Sequence, residues 1–199
     1  MMNATNSIYG ARSAEMESVM HALADCIRSA AAEIKKKTGM NPVEHLKYRI
    51  KAEDSMREKC RRKGIPETAE SALRSIRDAI GLRVVCTFLD DVYAIREYLQ
   101  ARADLEIVNE KDYIRNVKPN GYRSLHLIVK KDGYYAEIQI RTISMDTWAA
   151  LEHQIRYKKN VGNSALIFEE LKRCADELAS TDVSMQIIRA AINEKDGKA

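Results

Sequence analysis

Residues 125–142 read LHLIVKKDGYYAEIQIRT, and this stretch decides the fold. Asp132-Gly133 sits between two runs rich in β-branched and aromatic residues, the strongest short-range signal for a β-hairpin. With these two residues as the turn, Lys131 pairs with Tyr134, Val129 with Ala136 and Ile128 with Glu137. In the same register His126 pairs with Gln139 and Ser124 with Arg141. Side chains alternate between the faces of a strand. One face therefore collects Leu125, Leu127, Val129, Ala136, Ile138 and Ile140, all apolar. The other collects Ser124, His126, Glu137, Gln139 and Arg141. That second face is either wet or a binding site.

The chain reaches the hairpin through NVKPNGYRSLHLIV, residues 116–129. A turn rich in Pro, Asn and Gly brings Lys118 and Tyr122 to the mouth of a strand built for burial. Periodicity alone leaves an ordinary solvent-facing sheet open. The residues themselves are unusual for one, because acid, base, amide and imidazole converge beside a cationic loop. Taken singly they say little: His126 reads as a satisfied histidine, Glu137 as a surface charge, and Asp78 as a cap at a helix end.

Further out, Met16, Val19, Met20, Leu23, Ile27, Ala30 and Ile34 recur at helical spacing. They predict an amphipathic helix over roughly 12–37, stopped by the segment from Thr38 to Pro42. The basic segment KYRIKAEDSMREKCRRKG (47–64) follows. Its second half reads as a helix closed by Gly64, and its charges as a solvated helix face. After a further helical stretch, residues 82–89 form an apolar run with little alternation, as in a strand covered on both faces. Asp90-Asp91 opens a helix with Val92, Ile95 and Leu99 on its apolar side. A short strand over 105–109, a loop over 112–120, a helix over 145–157 and helices over about 164–194 complete the pattern. Strands interspersed with helices predict an α/β or α+β sheet domain with helical ends.

The 199 residues suit one domain over 1–199, with 45% hydrophobic and 31% charged residues. A formal net charge of +4 is too small to argue nucleic-acid binding from bulk charge, and no DNA partner is expected. Cys26, Cys60, Cys86 and Cys174 form no CxxC pair and read as thiols of a reducing compartment. The N-terminus has no signal-peptide pattern and no run reaches membrane-spanning length, so a cytoplasmic location is expected.

Phosphate chemistry needs carboxylates to hold magnesium and several cations to neutralise phosphates. Asp78 and Glu137, with Arg49, Lys51, Lys59, Arg83, Lys118 and Arg141, would supply that set. No GxxxxGK[ST] loop and no GxGxxG fingerprint is present, which disfavours the familiar nucleotide folds.

The ordered series YRIK…S…K, RDAIGLRVV, KDYI…KPNGYRSLH, AEIQIRT and W…LEHQIRYKK resembles the synthetase domain of the RelA/SpoT family, and most of all its stand-alone small alarmone synthetases. The resemblance covers a core of about 42–159. It implies a nucleotidyltransferase-like mixed β-sheet flanked by helices, with helical N- and C-terminal extensions. The reaction it implies is transfer of pyrophosphate from ATP to the 3′-hydroxyl of GDP or GTP, releasing AMP. By motif position, Arg49 and Arg83 would sandwich adenine, and Lys51, Ser55 and Lys59 would meet the ATP phosphates. Asp78 and Glu137 would hold Mg2+, with Glu137 also the base for the acceptor hydroxyl. Tyr122 would stack on guanine, with Lys118, His126, Gln139 and Arg141 around the acceptor nucleotide. Ser124, Glu152, His153 and Lys158 would support the site.

The hydrolase of the long family members uses a His-Asp motif. This sequence has no His-Asp dipeptide, its histidines being His21, His45, His126 and His153, so synthesis without hydrolysis is expected. Leu166, Leu171, Leu178 and Ile188 have no obvious sheet to cover, and the helical ends are expected to build a homo-oligomer, most simply a tetramer. A second reading within the fold is a toxic relative acting on adenine nucleotides or on the tRNA 3′ end.

Overall fold

Helix α1 (Ser13–Thr38) forms where the 3.6-residue apolar spacing predicts it. Met16, Val19, Met20, Leu23, Ile27, Ala30 and Ile34 are all buried along one face. Gly39 ends it with φ +74°, a left-handed conformation that costs a residue with a Cβ about 1–2 kcal/mol. Truncating a fully buried member such as Leu23 to Ala costs about 2–5 kcal/mol, because the cavity collapses only in part. The computed structural model describes residues 7–157 and 164–196.

Five strands build one mixed sheet: β1 (Val43–Ile50), β2 (Ile80–Cys86), β3 (Glu106–Asp112), β4 (Leu125–Lys131) and β5 (Tyr134–Thr142). Their order is β1-β2-β5-β4-β3. All pairings are antiparallel except β2 with β5. The β4–β5 hairpin takes the register that Asp132-Gly133 dictates, with Lys131 opposite Tyr134, Ile128 opposite Glu137 and His126 opposite Gln139. Both turn residues have positive φ, 50° and 83°, as a two-residue hairpin of this kind requires. The apolar face (Leu125, Leu127, Val129, Ala136, Ile138, Ile140) is fully buried. It belongs to one core with α1 and with Val92, Ile95 and Leu99 of α3 (Leu89–Gln100).

Several elements differ from expectation. The basic segment begins as a strand: β1 presents Leu46, Tyr48 and Ile50 to the core while Lys47 and Arg49 point the other way. Its charges hide the period of two, which becomes visible only when β2 lies alongside. Helix α2 (Glu53–Lys63) follows as predicted and Gly64 caps it. Strand β2 starts and ends earlier than 82–89 because residue 89 already begins α3. Its first half alternates, with Gly81 and Arg83 half-buried on the polar face.

Helix α4 (Ile143–Tyr157) leaves β5 without a loop, and the C-terminal region is one 33-residue helix, α5 (Ser164–Asp196). Ala175, Asp182 and Arg189, seven residues apart, are buried on its inner face. Buried charge is costly unless paired. Here Arg189 meets Asp91 at 2.8 Å and Asp182 accepts a 2.6 Å hydrogen bond from Thr142. Val183, Met185, Ile187, Ile188 and Ile192 remain exposed on the same helix.

Candidate active site

The polar face of the sheet gains depth because strand register stacks chemistry in rows. Arg49 lies opposite Gly81, which lies opposite Glu137; Lys47 lies opposite Arg83, which lies opposite Gln139. His126 of β4 extends the second row beyond Gln139. A cleft of about 350 Å³ opens over these rows, lined by Lys47, Arg49, Lys51, Asp78, Arg83 and Glu137 among others. Gly81 forms part of its floor. The nearest atom that a Cβ at Gly81 would meet is the Arg49 carbonyl oxygen at 3.9 Å, so a side chain there would occupy the cleft.

Asp78 sits in the connection into β2. One of its oxygens, Oδ2, accepts hydrogen bonds from Lys51 Nζ at 2.7 Å and Lys59 Nζ at 2.5 Å. The other, Oδ1, is buried without a hydrogen-bond partner. Burial pushes the carboxyl upward, but the two lysines outweigh it and hold Asp78 below the ordinary aspartate value.

Glu137 anchors a hydrogen-bonded chain along the sheet. Its Oε1 is 3.1 Å from His126 Nδ1, and His126 Nε2 is 2.8 Å from the Tyr122 hydroxyl. An ionised glutamate only accepts, so Nδ1–H donates to it. On its other oxygen Glu137 accepts from Gln139 at 3.1 Å, and Arg141 donates to Gln139 at 2.6 Å. Burial raises the Glu137 carboxyl, but His126 and Gln139 outweigh it and hold it below the ordinary value. The charge of Asp78 also acts on Glu137, pushing it upward, which marks the two carboxylates as electrostatic neighbours.

Tyr122 is itself mostly buried, which raises its hydroxyl pKa. Lys118 Nζ lies over its ring at 5.2 Å and over the Tyr113 ring at 4.3 Å. The Arg141 side chain is 2% exposed and its guanidinium lies 6.0 Å from the Tyr122 ring.

Other residues singled out by sequence take humbler positions. Ser124 is buried and its hydroxyl donates to the Ile140 carbonyl at 3.3 Å, stapling β4 to β5. Ser55 is exposed on α2 and His153 on α4. Asn120 approaches Glu152 at 3.5 Å, so α4 touches the Lys118–Tyr122 loop. Lys158 lies outside the described residues.

Sequence reasoning passed over Lys47, Gly81, Tyr113 and Asp146. Lys47-Tyr48-Arg49 alternates, but so short a stretch inside a basic run does not separate a strand from a helix face. An isolated glycine in an apolar strand points to close approach of a ligand or backbone. Tyr113 had no signal. Asp146, in the first turn of α4, reads as an ordinary helix-start acid.

Asp78 and Glu137 are the residues that could hold a divalent cation. An ion such as magnesium is held by one or two carboxylates together with substrate phosphates and water. Asp78 and Glu137 offer two carboxylates and one buried oxygen without a partner. Among the described residues no group of three acidic, His or Cys side chains could hold a metal by protein alone.

Residues 48–162 match the family described as a region found in RelA/SpoT proteins. GTP pyrophosphokinase YwaC of Bacillus subtilis (strain 168) is 42% identical over 163 residues, 78% of this chain and 78% of that protein. The crystal structure of small alarmone synthetase 2 from Bacillus subtilis has a TM-score of 0.78 at 38% identity, covering 88% of this chain and 96% of that one. That of small alarmone synthetase 1 from the same organism, bound to its product pppGpp, has a TM-score of 0.77 at 31% identity, covering 89% and 94%.

Proposed function

The chain belongs to the RelA/SpoT family, and on that premise we propose that it is a (p)ppGpp synthetase. It transfers the β,γ-pyrophosphate of ATP to the 3′-hydroxyl of GDP or GTP and releases AMP. The observation that carries this reading is the setting of Glu137. On one side lies Asp78 with its two lysines, and on the other the His126–Tyr122 arm that leads to the Lys118 loop. Donor and acceptor chemistry thus meet at one carboxylate.

Arg49 and Arg83 stand on adjacent antiparallel strands, each one step diagonal to the other across the Gly81 row. Diagonal neighbours are roughly 7–8 Å apart, room for a planar adenine between two guanidinium faces. Lys51 and Lys59, both paired with Asp78, would meet the ATP phosphates. Tyr122 offers a flat apolar face for guanine, with Lys118 and Arg141 as the cations beside it.

In the reaction the acceptor 3′-oxygen attacks the β-phosphorus, the bond to the α-phosphate oxygen breaks, and AMP leaves with that oxygen. Glu137, ionised at neutral pH, takes the proton of the hydroxyl, and His126 fixes the orientation of its carboxylate. Asp78 and Glu137 would hold magnesium, which neutralises phosphate charge and lowers the pKa of the acceptor hydroxyl. The cations of the cleft act on charge that develops away from bulk water, where fixed groups are worth most.

Incubating the purified protein with magnesium, ATP labelled in its terminal phosphate and each guanine nucleotide tests this. Label on GDP or GTP, abolished by a chelator, is expected. With AMP or tRNA offered as acceptor instead, label transferred to a 3′-hydroxyl of AMP or tRNA and none to guanine nucleotides would establish the toxic activity. The same reading includes a cytoplasmic homotetramer. The exposed apolar residues of α5 support subunit contact, and light scattering that showed a monomer at micromolar concentration would exclude it.

A further inference from the structure

We infer that Asp146 is a positioning residue that ties the donor and acceptor halves of the cleft together by holding Arg83 and Arg141 on one carboxylate. Groups from three strands face it: Arg83 of β2 at 3.5 Å, Arg141 of β5 at 3.6 Å and His45 of β1 at 3.7 Å. Four buried side-chain polar atoms among the described residues have no hydrogen-bond partner. One is Asp78 Oδ1; the other three are His45 Nε2, Arg141 Nε and Asp146 Oδ1. Buried atoms of this kind are rare, and three in one place mark a cluster kept for a purpose other than stability.

The distances matter. At 3.5–3.6 Å the two arginines form ion pairs with Asp146 without closing hydrogen bonds. The single carboxylate thus offsets part of both guanidinium charges and steers them, while each keeps N–H donors for a ligand. Without Asp146, two cations on neighbouring strands would face each other. Their repulsion is visible already, since Arg83 adds to the effect of burial in pushing the Arg141 guanidinium downward. Arg83 is 43% exposed and open to the donor side, whereas Arg141 is 2% exposed and leans on Gln139 and the Tyr122 ring. The inference rests on the reading that ATP binds beside Arg83 and the guanine nucleotide beside Arg141. An acid that merely complements the α4 dipole would need none of these partners.

Equilibrium binding of a non-hydrolysable ATP analogue and of GDP, each measured alone, separates the two claims. If the unmodified protein binds neither, the reading of the cleft falls and the inference with it. If it binds both, Asp146→Asn is expected to weaken each by at least roughly tenfold, the scale of one lost charge-assisted contact. Asp146→Glu keeps the charge and is expected to stay within about threefold, by the same conversion. Arg83→Gln, at an exposed position that endangers the fold least, should weaken GDP as well as the ATP analogue, because Asp146 then closes onto Arg141. GDP binding unmoved by Arg83→Gln, or Asp146→Asn affecting one nucleotide only, would overturn the coupling.

Discussion

Gly121 rests directly on Ala175: a Cβ at position 121 would lie 2.6 Å from the Ala175 side chain and 3.3 Å from the Lys172 backbone. The loop that carries Lys118 and Tyr122 is therefore seated on α5, fifty residues away in sequence. Arg123 fastens it there, donating to the carbonyls of Gly121 and Ala175 and pairing with Asp176 at 2.8 Å. The Lys118–Tyr122 side of the cleft is held by the same helix that presents exposed apolar residues outward.

Gly121→Ala should accordingly cost about 2–4 kcal/mol, from a residue at φ +89° and from overpacking against α5. Thermal unfolding should show a fall of several degrees. In the variant that remains folded, the apparent constant for GDP or GTP should rise more than that for ATP. Equal effects on both would show that the loop does not serve the acceptor alone.

Gly81→Val makes the opposite demand. A Cβ there meets no protein atom closer than 3.9 Å, and valine favours a strand, so stability should be unchanged or raised. ATP binding should weaken at least tenfold, about 1.4 kcal/mol, because the methyl groups enter the cleft. Calorimetry and ATP titration on one preparation check both halves; undiminished ATP binding would place adenine elsewhere.

Tyr122 makes two contributions that substitution can separate. Tyr122→Ala should lose roughly 1–3 kcal/mol of acceptor binding, the range for base–aromatic stacking, with ATP little changed. Tyr122→Phe keeps the ring and loses the hydroxyl with its 2.8 Å contact to His126. Its acceptor constant should stay near that of the unmodified protein while turnover falls modestly. Initial-rate kinetics at saturating ATP distinguish the outcomes, and an acceptor constant unmoved by Ala would remove Tyr122 from the base site.

On the proposed mechanism Glu137→Gln removes the base and weakens the metal site while nearly preserving shape, so turnover should fall at least ~10²-fold with the fold retained. The carboxylates also predict an acid limb of stability. Asp78 and Glu137 are held below their ordinary values of 3.8 and 4.5. A depressed folded pKa favours the folded state above the unfolded value, and that contribution is lost as pH drops through the folded one. Urea unfolding should be flat between pH 7 and 5 and decline below about pH 4. The decline should be shallower in the Asp78→Asn, Glu137→Gln double variant; an identical slope would show that neither carboxylate is favourably held.

The hairpin and α1 were legible because their signals are local. Asp132-Gly133 sets a register that needs no other part of the chain, and seven apolar residues at helical spacing bury one face of a helix wherever it docks. Strand β1 was not legible, since Lys47, Arg49 and Lys51 mask its alternation until β2 pairs with it across some thirty residues. Asp146 looks like any helix-start acid until three strands converge on it.

By itself, then, the sequence determined the apolar and polar faces of the hairpin, the family motifs in their order, and the two carboxylates with their surrounding cations. Alternation, turn conformation and residue chemistry belong to contiguous segments and survive without a fold. Only the tertiary structure decided that Gly81 leaves the cleft open, that Lys51 and Lys59 share one oxygen of Asp78, and that α5 carries the Lys118–Tyr122 loop. Those are Coulombic and packing relationships between residues far apart in the chain. Their energies depend on distances of a few ångströms that come into being only when the strands are laid side by side.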